Sequence, residues 1–256
     1  MAAILEVRRL VKRFGAVPAA DDLSVAIEAD SMVGLIGANG AGKTTFINMI
    51  TGYLKPDSGA ILYGEQDITR LGPRAVMRKG IARSFQIPQL FLTQTARENL
   101  LVGAGIALRH GSRSEGANHV AAGLLERFGL TEHADKPAGV LPEGVRKLLD
   151  IAMALVARPR VLLLDEPSSG VSTDEKFSVM DTVIEAVRPQ GVTVLFVEHD
   201  MDIVARYSQR VLAFYEGRII ADGAPQAVLA APEVRQYVVG EHHETRTNAE
   251  MNDAAG

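Results

Sequence analysis

The sequence contains no cysteine, which excludes disulfides, a thiolate nucleophile and cysteine-ligated metals. Its formal net charge is −4, so it lacks the basic excess typical of nucleic-acid-binding proteins, and no nucleic-acid partner is expected. Apolar runs such as 151–157 are far shorter than the roughly 20 residues that span a bilayer, and no secretion signal is recognisable at residues 1–9. These absences favour a cytosolic protein that reaches a membrane only through a partner. With 47% hydrophobic residues, the 256-residue chain is able to bury a sizeable core.

One segment has an explicit chemical meaning. Residues 37–44 fit the phosphate-loop pattern G-x-x-x-x-G-K-[ST], an apolar run precedes them, and a helix is predicted from Thr45. Glycines let backbone N–H groups surround a phosphate, and the helix dipole favours the same anion. Lys43 supplies positive charge near the outer phosphates, and Thr44 offers a hydroxyl to Mg²⁺. The alternative is a glycine-rich turn without a ligand. The pattern predicts ATP or GTP binding by Gly37, Ala38, Asn39, Gly40, Ala41, Gly42, Lys43, Thr44 and Thr45.

Strand and helix patterns alternate in the second half of the chain and predict a parallel sheet with crossover helices. Short strands come first, and the pattern from about 97 to 157 is helical, with a polar loop predicted at 110–116. Residues 241–256 are polar and aperiodic, so a frayed tail is expected there, with His242 and His243 solvated rather than bound to metal. The predicted strands are Ile4–Leu10, Leu23–Ile27, Val33–Ile36, Ala60–Tyr63, Ile81–Phe85, Val161–Leu164, Val192–Val197, Val211–Tyr215 and Arg218–Ala221, and the predicted helices are Pro73–Lys79 and Asp174–Val187.

A second marker is the apolar strand 161–164 followed by Asp165 and Glu166. A carboxylate at a strand end beside a phosphate loop is placed to hold the water around Mg²⁺, which suits Asp165. The next residue, Glu166, is placed to polarise a water. An acidic pair alone is usually a solvated strand end, but together with residues 37–44 it indicates a nucleotide hydrolase.

With these two motifs in place, the chain resembles the ATP-binding subunits of ABC transporters from about Leu5 to Gly240. Phe14 stands where that family has an aromatic that stacks on adenine, and Gln86 matches the glutamine of the loop that touches magnesium and the transmembrane partner. His199 matches the histidine that contacts the γ-phosphate. Taken singly, the three would be interpreted as a core aromatic, a surface amide and a structural histidine; their order and spacing favour the family roles.

The resemblance implies an α/β fold: a P-loop NTPase core with an antiparallel β edge subdomain and a helical subdomain at about 87–157, within one ABC ATPase domain at 1–240. It implies ATP and Mg²⁺ as cofactors. The expected catalytic residues are Glu166, His199 and Gln86, and the expected metal ligands are Thr44, Gln86 and Asp165.

The chain departs from the family at the signature motif. Relatives usually have Leu-Ser-Gly-Gly-Gln there, and this chain has Leu141, Pro142, Glu143, Gly144 and Val145. Pro142 lacks the serine hydroxyl and N–H that face the partner's ATP in the family, whereas the dipole of a helix predicted from Val145 remains. Ser172 also replaces a common aspartate in the loop after Glu166. We therefore expect a weakened site and pairing with a second, non-identical ATPase subunit.

The likeness extends to one subfamily through the strings at 80–86, 198–201, 221–225 and 237–240, which are similar to importers of branched-chain and other hydrophobic amino acids. This implies transmembrane permease subunits, an indirect periplasmic binding protein, and a peripheral location on the cytoplasmic face of the inner membrane. The alternatives are an importer of urea, amides or aromatic acids, or an exporter of lipids or drugs. A soluble regulatory ABC ATPase is disfavoured, because such proteins typically carry two cassettes or a long coiled-coil insert.

Overall fold

Two β-sheets organise the chain in the computed structural model, which describes residues 3–108 and 116–240. Most of the predicted loop at 110–116, and the tail at 241–256 with His242 and His243, lie outside the described residues. The strands are β1 (Ala3–Phe14), β2 (Val17–Glu28), β3 (Met32–Gly37), β4 (Ser58–Tyr63), β5 (Gln66–Asp67), β6 (Ile81–Ser84), β7 (Val161–Asp165), β8 (Thr193–Val197), β9 (Arg210–Tyr215) and β10 (Arg218–Gly223).

The α-helices of the described residues lie between and after these strands. They are α1 (Lys43–Ile50), α2 (Pro73–Arg78), α3 (Ala96–Leu108), α4 (Ala117–Arg127), α5 (Glu143–Leu155), α6 (Lys176–Val187), α7 (Met201–Tyr207), α8 (Pro225–Ala230) and α9 (Pro232–Val234). Short 3₁₀ turns lie at Thr131–His133, Ala138–Val140 and Arg188–Gln190, and a π-helical turn lies at Arg235–Val239. Within the described residues, no helix combines the length and apolar character needed to cross a membrane.

The six-stranded sheet has the order β10-β9-β3-β8-β7-β6, and all neighbours are parallel except the edge hairpin of β9 and β10. Its central strands are buried on both faces, as covered parallel sheets are. In β7, Leu162 and Leu164 join the core beneath the helices, whereas Val161 and Leu163 face the opposite core. The sheet is thus sandwiched between two apolar layers.

The second layer is the four-stranded antiparallel sheet, ordered β2-β1-β4-β5. Its inward side chains, among them Leu5, Val7 and Ile61, pack with Phe46 of α1 in one core. On the other face of the parallel sheet, α3, α4 and α5 contribute buried residues such as Leu100, Leu125 and Leu149 to the other core. The strands of this layer all come from the amino-terminal part of the chain, and they form the antiparallel β edge subdomain that the family resemblance implied.

Three predicted helix starts are wrong by two residues: α6 begins at Lys176 rather than Asp174, and the other two helices begin earlier than predicted. Helix α1 begins at Lys43 rather than Thr45, and α5 begins at Glu143 rather than Val145. In α1 and α5 the first helical turn consists of motif residues, from the phosphate loop and from the signature residues respectively. The backbone N–H groups of that turn have no partner within the helix, so they are available to a ligand. Glu143 in the first turn of α5 is also favoured by the helix dipole. The strands β1 and β2 are longer than predicted.

Candidate nucleotide-binding site

Four predicted site residues or loops follow neighbouring parallel strands at one edge of the sheet. Across that edge, the phosphate loop follows β3 and His199 follows β8. Asp165 is the last residue of β7, Glu166 comes directly after it, and Gln86 follows β6. Parallel strands expose their carboxyl ends on the same edge, where open α/β sheets bind their ligands. This topology brings together groups that are up to 162 residues apart in sequence, counted from residue 37 to residue 199.

The phosphate loop curls tightly around its own lysine. Lys43 Nζ donates to the carbonyl oxygens of Gly37 at 2.6 Å and Ala38 at 3.0 Å. Gly42 has φ 107°, and a Cβ there would lie 2.5 Å from the carbonyl oxygen of Ala19, so only glycine fits. Burial lowers the pKa of Lys43, and the nearby carboxylates of Glu166 and Asp165 oppose that shift. The loop therefore holds a cation close to the two acidic residues.

Glu166 is the meeting point of the predicted catalytic residues. Its carboxylate accepts a hydrogen bond from Gln86 Nε2 at 2.8 Å, and its other oxygen lies 3.2 Å from His199 Nε2. Glu166 itself has φ 51°, a left-handed conformation that costs a non-glycine residue on the order of 1–2 kcal/mol. Such strain is kept where the surroundings enforce it, and it clusters at functional sites. The arrangement gives the carboxylate a defined orientation.

A pocket at this edge is lined by residues 39–45 together with Glu166, Val197 and His199. Thr44 is exposed within it, and Thr45 is half-buried. The pocket therefore joins phosphate-binding backbone, a cation, a carboxylate and an imidazole. This combination is suited to a phosphorylated ligand and to the activation of a water beside it.

Asp165 has a partner that the sequence did not suggest. Its Oδ2 lies 2.6 Å from a terminal nitrogen of Arg83, whose other terminal nitrogen donates to Asn48 Oδ1 at 2.5 Å. The guanidinium also lies 4.9 Å from the ring centroid of Phe85. Both charged side chains are nearly buried, so each neutralises the other in a poorly solvated place. A charged residue inside the apolar strand β6 was the available signal.

The predicted Mg²⁺ ligands fit that ion by their chemistry. A hydroxyl from Thr44, a carboxylate from Asp165 and an amide from Gln86 are hard oxygen donors, which Mg²⁺ prefers. Among residues 3–108 and 116–240, no group of three or more His, Cys, Asp or Glu side chains forms a cation cage.

Phe14 and the signature residues lie outside this pocket. Phe14 ends β1, is 53% exposed, and belongs to the hairpin that leads to Ala19 beside Gly42. Among the signature residues, Leu141 is buried and Pro142 caps α5 without a side-chain hydrogen bond. None of Leu141, Pro142, Glu143, Gly144 or Val145 lines the pocket.

Two buried charged residues next to the site were missed from the sequence. Lys147 of α5 donates to Gln86 and Glu166 backbone oxygens, and Glu198 accepts from the Ser168 N–H at 2.9 Å. Burial raises the pKa of Glu198. The signal for Lys147 was its place four and eight residues before the buried Ile151 and Leu155, on the apolar stripe of a helix.

Comparisons with known proteins identify what this chain is similar to. The family model described as ABC transporter matches residues 20–169. The chain is 37% identical over 252 residues to the high-affinity branched-chain amino acid transport ATP-binding protein BraF of Pseudomonas aeruginosa, covering 93% of this chain and 98% of that protein. It is 35% identical over 251 residues to the high-affinity branched-chain amino acid transport ATP-binding protein LivG of Escherichia coli, with the same coverage.

Solved structures agree with these relatives. The ADP conformation of an ATP-binding cassette of an ABC transporter superposes with a TM-score of 0.82 at 33% identity, over 92% of this chain and 98% of that chain. A nucleotide-free ATP-binding cassette from an ABC transporter superposes with a TM-score of 0.81 at 34% identity, over 91% and 97%. The predicted α/β fold is confirmed.

Proposed function

The chain belongs to the ABC transporter family and is an ATP-binding ATPase, and from that premise we propose that it energises import of branched-chain or other hydrophobic amino acids. The observation that carries the chemistry is Glu166, oriented by Gln86 and His199 beside the phosphate loop. The cargo class rests on BraF and LivG, branched-chain amino acid transport ATP-binding proteins that match 93% of the chain. Transmembrane permease subunits are partners of such a subunit.

Each site residue then has a distinct role in hydrolysis. N–H groups of residues 39–45 and the Lys43 ammonium bind the phosphates, and Glu166 accepts a proton from the attacking water. His199 contacts the γ-phosphate, and Phe14 offers an exposed ring face to the adenine. Thr44, Asp165 and Gln86 would hold Mg²⁺. When bound, Mg²⁺ neutralises charge that develops on the phosphate oxygens.

A groove beside the Gln86 loop supports docking of a permease on this subunit. Tyr53, Met77, Phe85 and Ile106 line it, and three of these four are exposed although apolar or aromatic. Exposed apolar grooves mark interaction sites. Because the groove shares Phe85 with the loop that carries Gln86, a helix of a permease seated there would touch the loop that contacts Glu166. Docking of this kind would hold the chain peripherally at the membrane, and the side that we propose is the cytoplasmic face.

Transport of labelled amino acids tests the cargo. Right-side-out membrane vesicles that enclose ATP, and that contain the chain with its co-expressed permeases and binding protein, should accumulate leucine, isoleucine or valine. Vesicles in which this chain carries Glu166→Gln should not accumulate them. Accumulation of urea, amides or aromatic acids instead would reassign the cargo while keeping the importer, and ATP-driven release of lipids or drugs would contradict import altogether.

Pro142 is the basis for proposing a heterodimer with a second ATPase subunit. Pro142 has neither the backbone N–H nor the hydroxyl of the serine that is usual at this position, so the helix start that faces a partner's ATP in this family lacks two donors. The remaining N–H groups of the first turn and the helix dipole still attract phosphate. A partner with a fuller motif would complete the stronger of the two composite sites.

Pro142→Ser should therefore strengthen the composite site on the partner. The regained contacts are charge-assisted hydrogen bonds, worth about 1–3 kcal/mol. The measurement is ATP-driven association with the candidate partner, followed by light scattering in a Glu166→Gln background. Pro137→Ser, which alters the exposed proline before a 3₁₀ turn, is the control and should change nothing. A tight, symmetric ATP-bound homodimer of this chain alone, unaffected by Pro142→Ser, would contradict the proposal.

A further inference from the structure

A buried lysine joins α5 to two separate segments of the site. Lys147 is only 2% exposed, and its Nζ donates to the carbonyl oxygen of Gln86 at 2.6 Å, to that of Glu166 at 3.0 Å and to Ser169 Oγ at 3.1 Å. An ammonium group has three N–H donors, so these three acceptors use all of them. One side chain therefore touches the loops that follow β6 and β7.

The contact with Glu166 bears on the strained part of the site. The carbonyl oxygen of Glu166 accepts from Lys147 and also from the N–H of Ser169 at 3.1 Å, and its N–H donates to Val197 at 3.1 Å. These bonds surround a residue whose φ is 51°. The direction of a carboxylate follows from its backbone, so loss of the lysine contact would let the Glu166 carboxylate rotate away from Gln86 and His199.

A second buried charge on the same helix holds the Gln86 loop from its other side. Asp150 accepts from Ser84 Oγ at 2.8 Å, from the Gln89 N–H at 2.9 Å and from the Phe85 N–H at 3.2 Å. It lies one helical turn beyond Lys147. Helix α5 thus forms hydrogen bonds with the segment around Gln86 through both Lys147 and Asp150. Of these two side chains, only Lys147 also bonds Glu166.

We propose that Lys147 is a positioning residue that links α5 to Glu166 and Gln86, so that the placement of this helix sets the geometry of the catalytic carboxylate. Helix α5 begins at the signature residues, and Lys147 lies about 7.5 Å along the helix axis from Pro142 at 1.5 Å per residue. Engagement of the signature end with ATP on a partner subunit is thereby mechanically connected to this chain's own hydrolysis site. The proposal rests on the role proposed above for Glu166.

Lys147→Met in the assembled transporter complex tests the proposal. The side chain keeps its length and loses its three donors, so we expect kcat to fall about 10- to 100-fold, the size of effect that a misplaced reacting group produces. Nucleotide affinity should stay unchanged, because Lys147 does not line the nucleotide pocket. Lys147→Arg, which keeps the charge and the donors, should recover most of the lost kcat. An unchanged kcat in Lys147→Met would overturn the proposal.

A matched control separates positioning from stability. Lys55 is a half-buried lysine whose Nζ donates to the backbone oxygens of Gly52 and Leu71, away from α5. Lys55→Met should lower the melting temperature without lowering kcat. If Lys147→Met lowers kcat only as much as Lys55→Met does at an equal loss of melting temperature, Lys147 has a structural role and the proposal is wrong.

A double-mutant cycle with Glu166→Gln identifies the residue through which Lys147 acts. Residual turnover of Lys147→Met/Glu166→Gln, measured over hours, should equal that of Glu166→Gln alone. If the two losses of turnover multiply in the double variant, Lys147 does not act through Glu166 and the proposal is wrong. Normal turnover in Glu166→Gln by itself is a different result, and it would refute the proposed base rather than the lysine contact. If Lys147→Met does not fold, Lys147→Gln replaces it: the amide is shorter and has two donors for the three acceptors, so kcat should still fall, and a kcat equal to that of the unchanged chain would overturn the proposal.

Discussion

Glu166→Gln is expected to lower ATP turnover by about 10²–10⁴-fold, the usual contribution of a general base. The amide has the shape of the carboxylate and still offers an oxygen to Gln86, so the pocket should keep its geometry. It cannot accept a proton from water. Phosphate release by the assembled complex measures the loss, and equilibrium titration with ATP should give an affinity close to that of the unchanged chain.

Glu185→Gln is the control for this substitution. Glu185 is an exposed glutamate near the end of α6, a helix that runs back from the carboxyl edge of the sheet towards the opposite edge. The same change of charge there should leave turnover unaltered. If Glu166→Gln hydrolysed ATP at a near-normal rate, the general base would be another group, and Asp165 and His199 would be the residues to examine.

Lys43→Ala is expected to weaken ATP binding about 10- to 150-fold, because charge-assisted hydrogen bonds to phosphate contribute about 1.5–3 kcal/mol. The loop itself also depends on this side chain, which bonds the carbonyl oxygens of Gly37 and Ala38. Turnover should fall together with binding. Equilibrium titration with ATP, with the melting temperature recorded in parallel, measures the effect.

The lysine at position 55 again provides the comparison, here as Lys55→Ala. It also bonds backbone oxygens from a half-buried position, and burial lowers its pKa as it does that of Lys43. Lys55→Ala should destabilise the fold and leave ATP affinity unchanged. Equal ATP affinity in Lys43→Ala and the unchanged chain would assign phosphate binding to the loop N–H groups and helix α1 alone.

Local pattern was sufficient for the elements whose physics is local. The glycines and lysine of residues 37–44 imply a phosphate loop because few other sequences tolerate φ values such as the 107° of Gly42. The alternation of short apolar runs with helical segments predicted the parallel sheet. Strands and helices space their apolar residues differently, so the two can be distinguished in the sequence. Helix starts at Lys43 and Glu143 were misplaced because a helix's first turn leaves its N–H groups free and has no periodicity to detect.

Order along the chain identified Phe14, Gln86 and His199 only through the family resemblance, and their roles stay predictions. What pattern alone does not contain is the distance between them. The hydrogen bond from Gln86 to Glu166 spans 80 residues, and it exists because β6 and β7 pair in parallel with Ser84 opposite Leu164. Strand order is a property of the packed sheet rather than of either strand.

The sequence by itself determined the ligand class, the fold class and the acidic pair after β7, because each follows from residue types at short spacing. Only the tertiary structure decided that Arg83 pairs with Asp165 and that Lys147 bonds the backbone of Gln86 and Glu166. In the sequence each cation is only a charge within an apolar pattern, and that pattern does not identify its partner. They become specific once folding removes water around them, because a buried charge must find its partners among whichever groups the packed elements bring within reach.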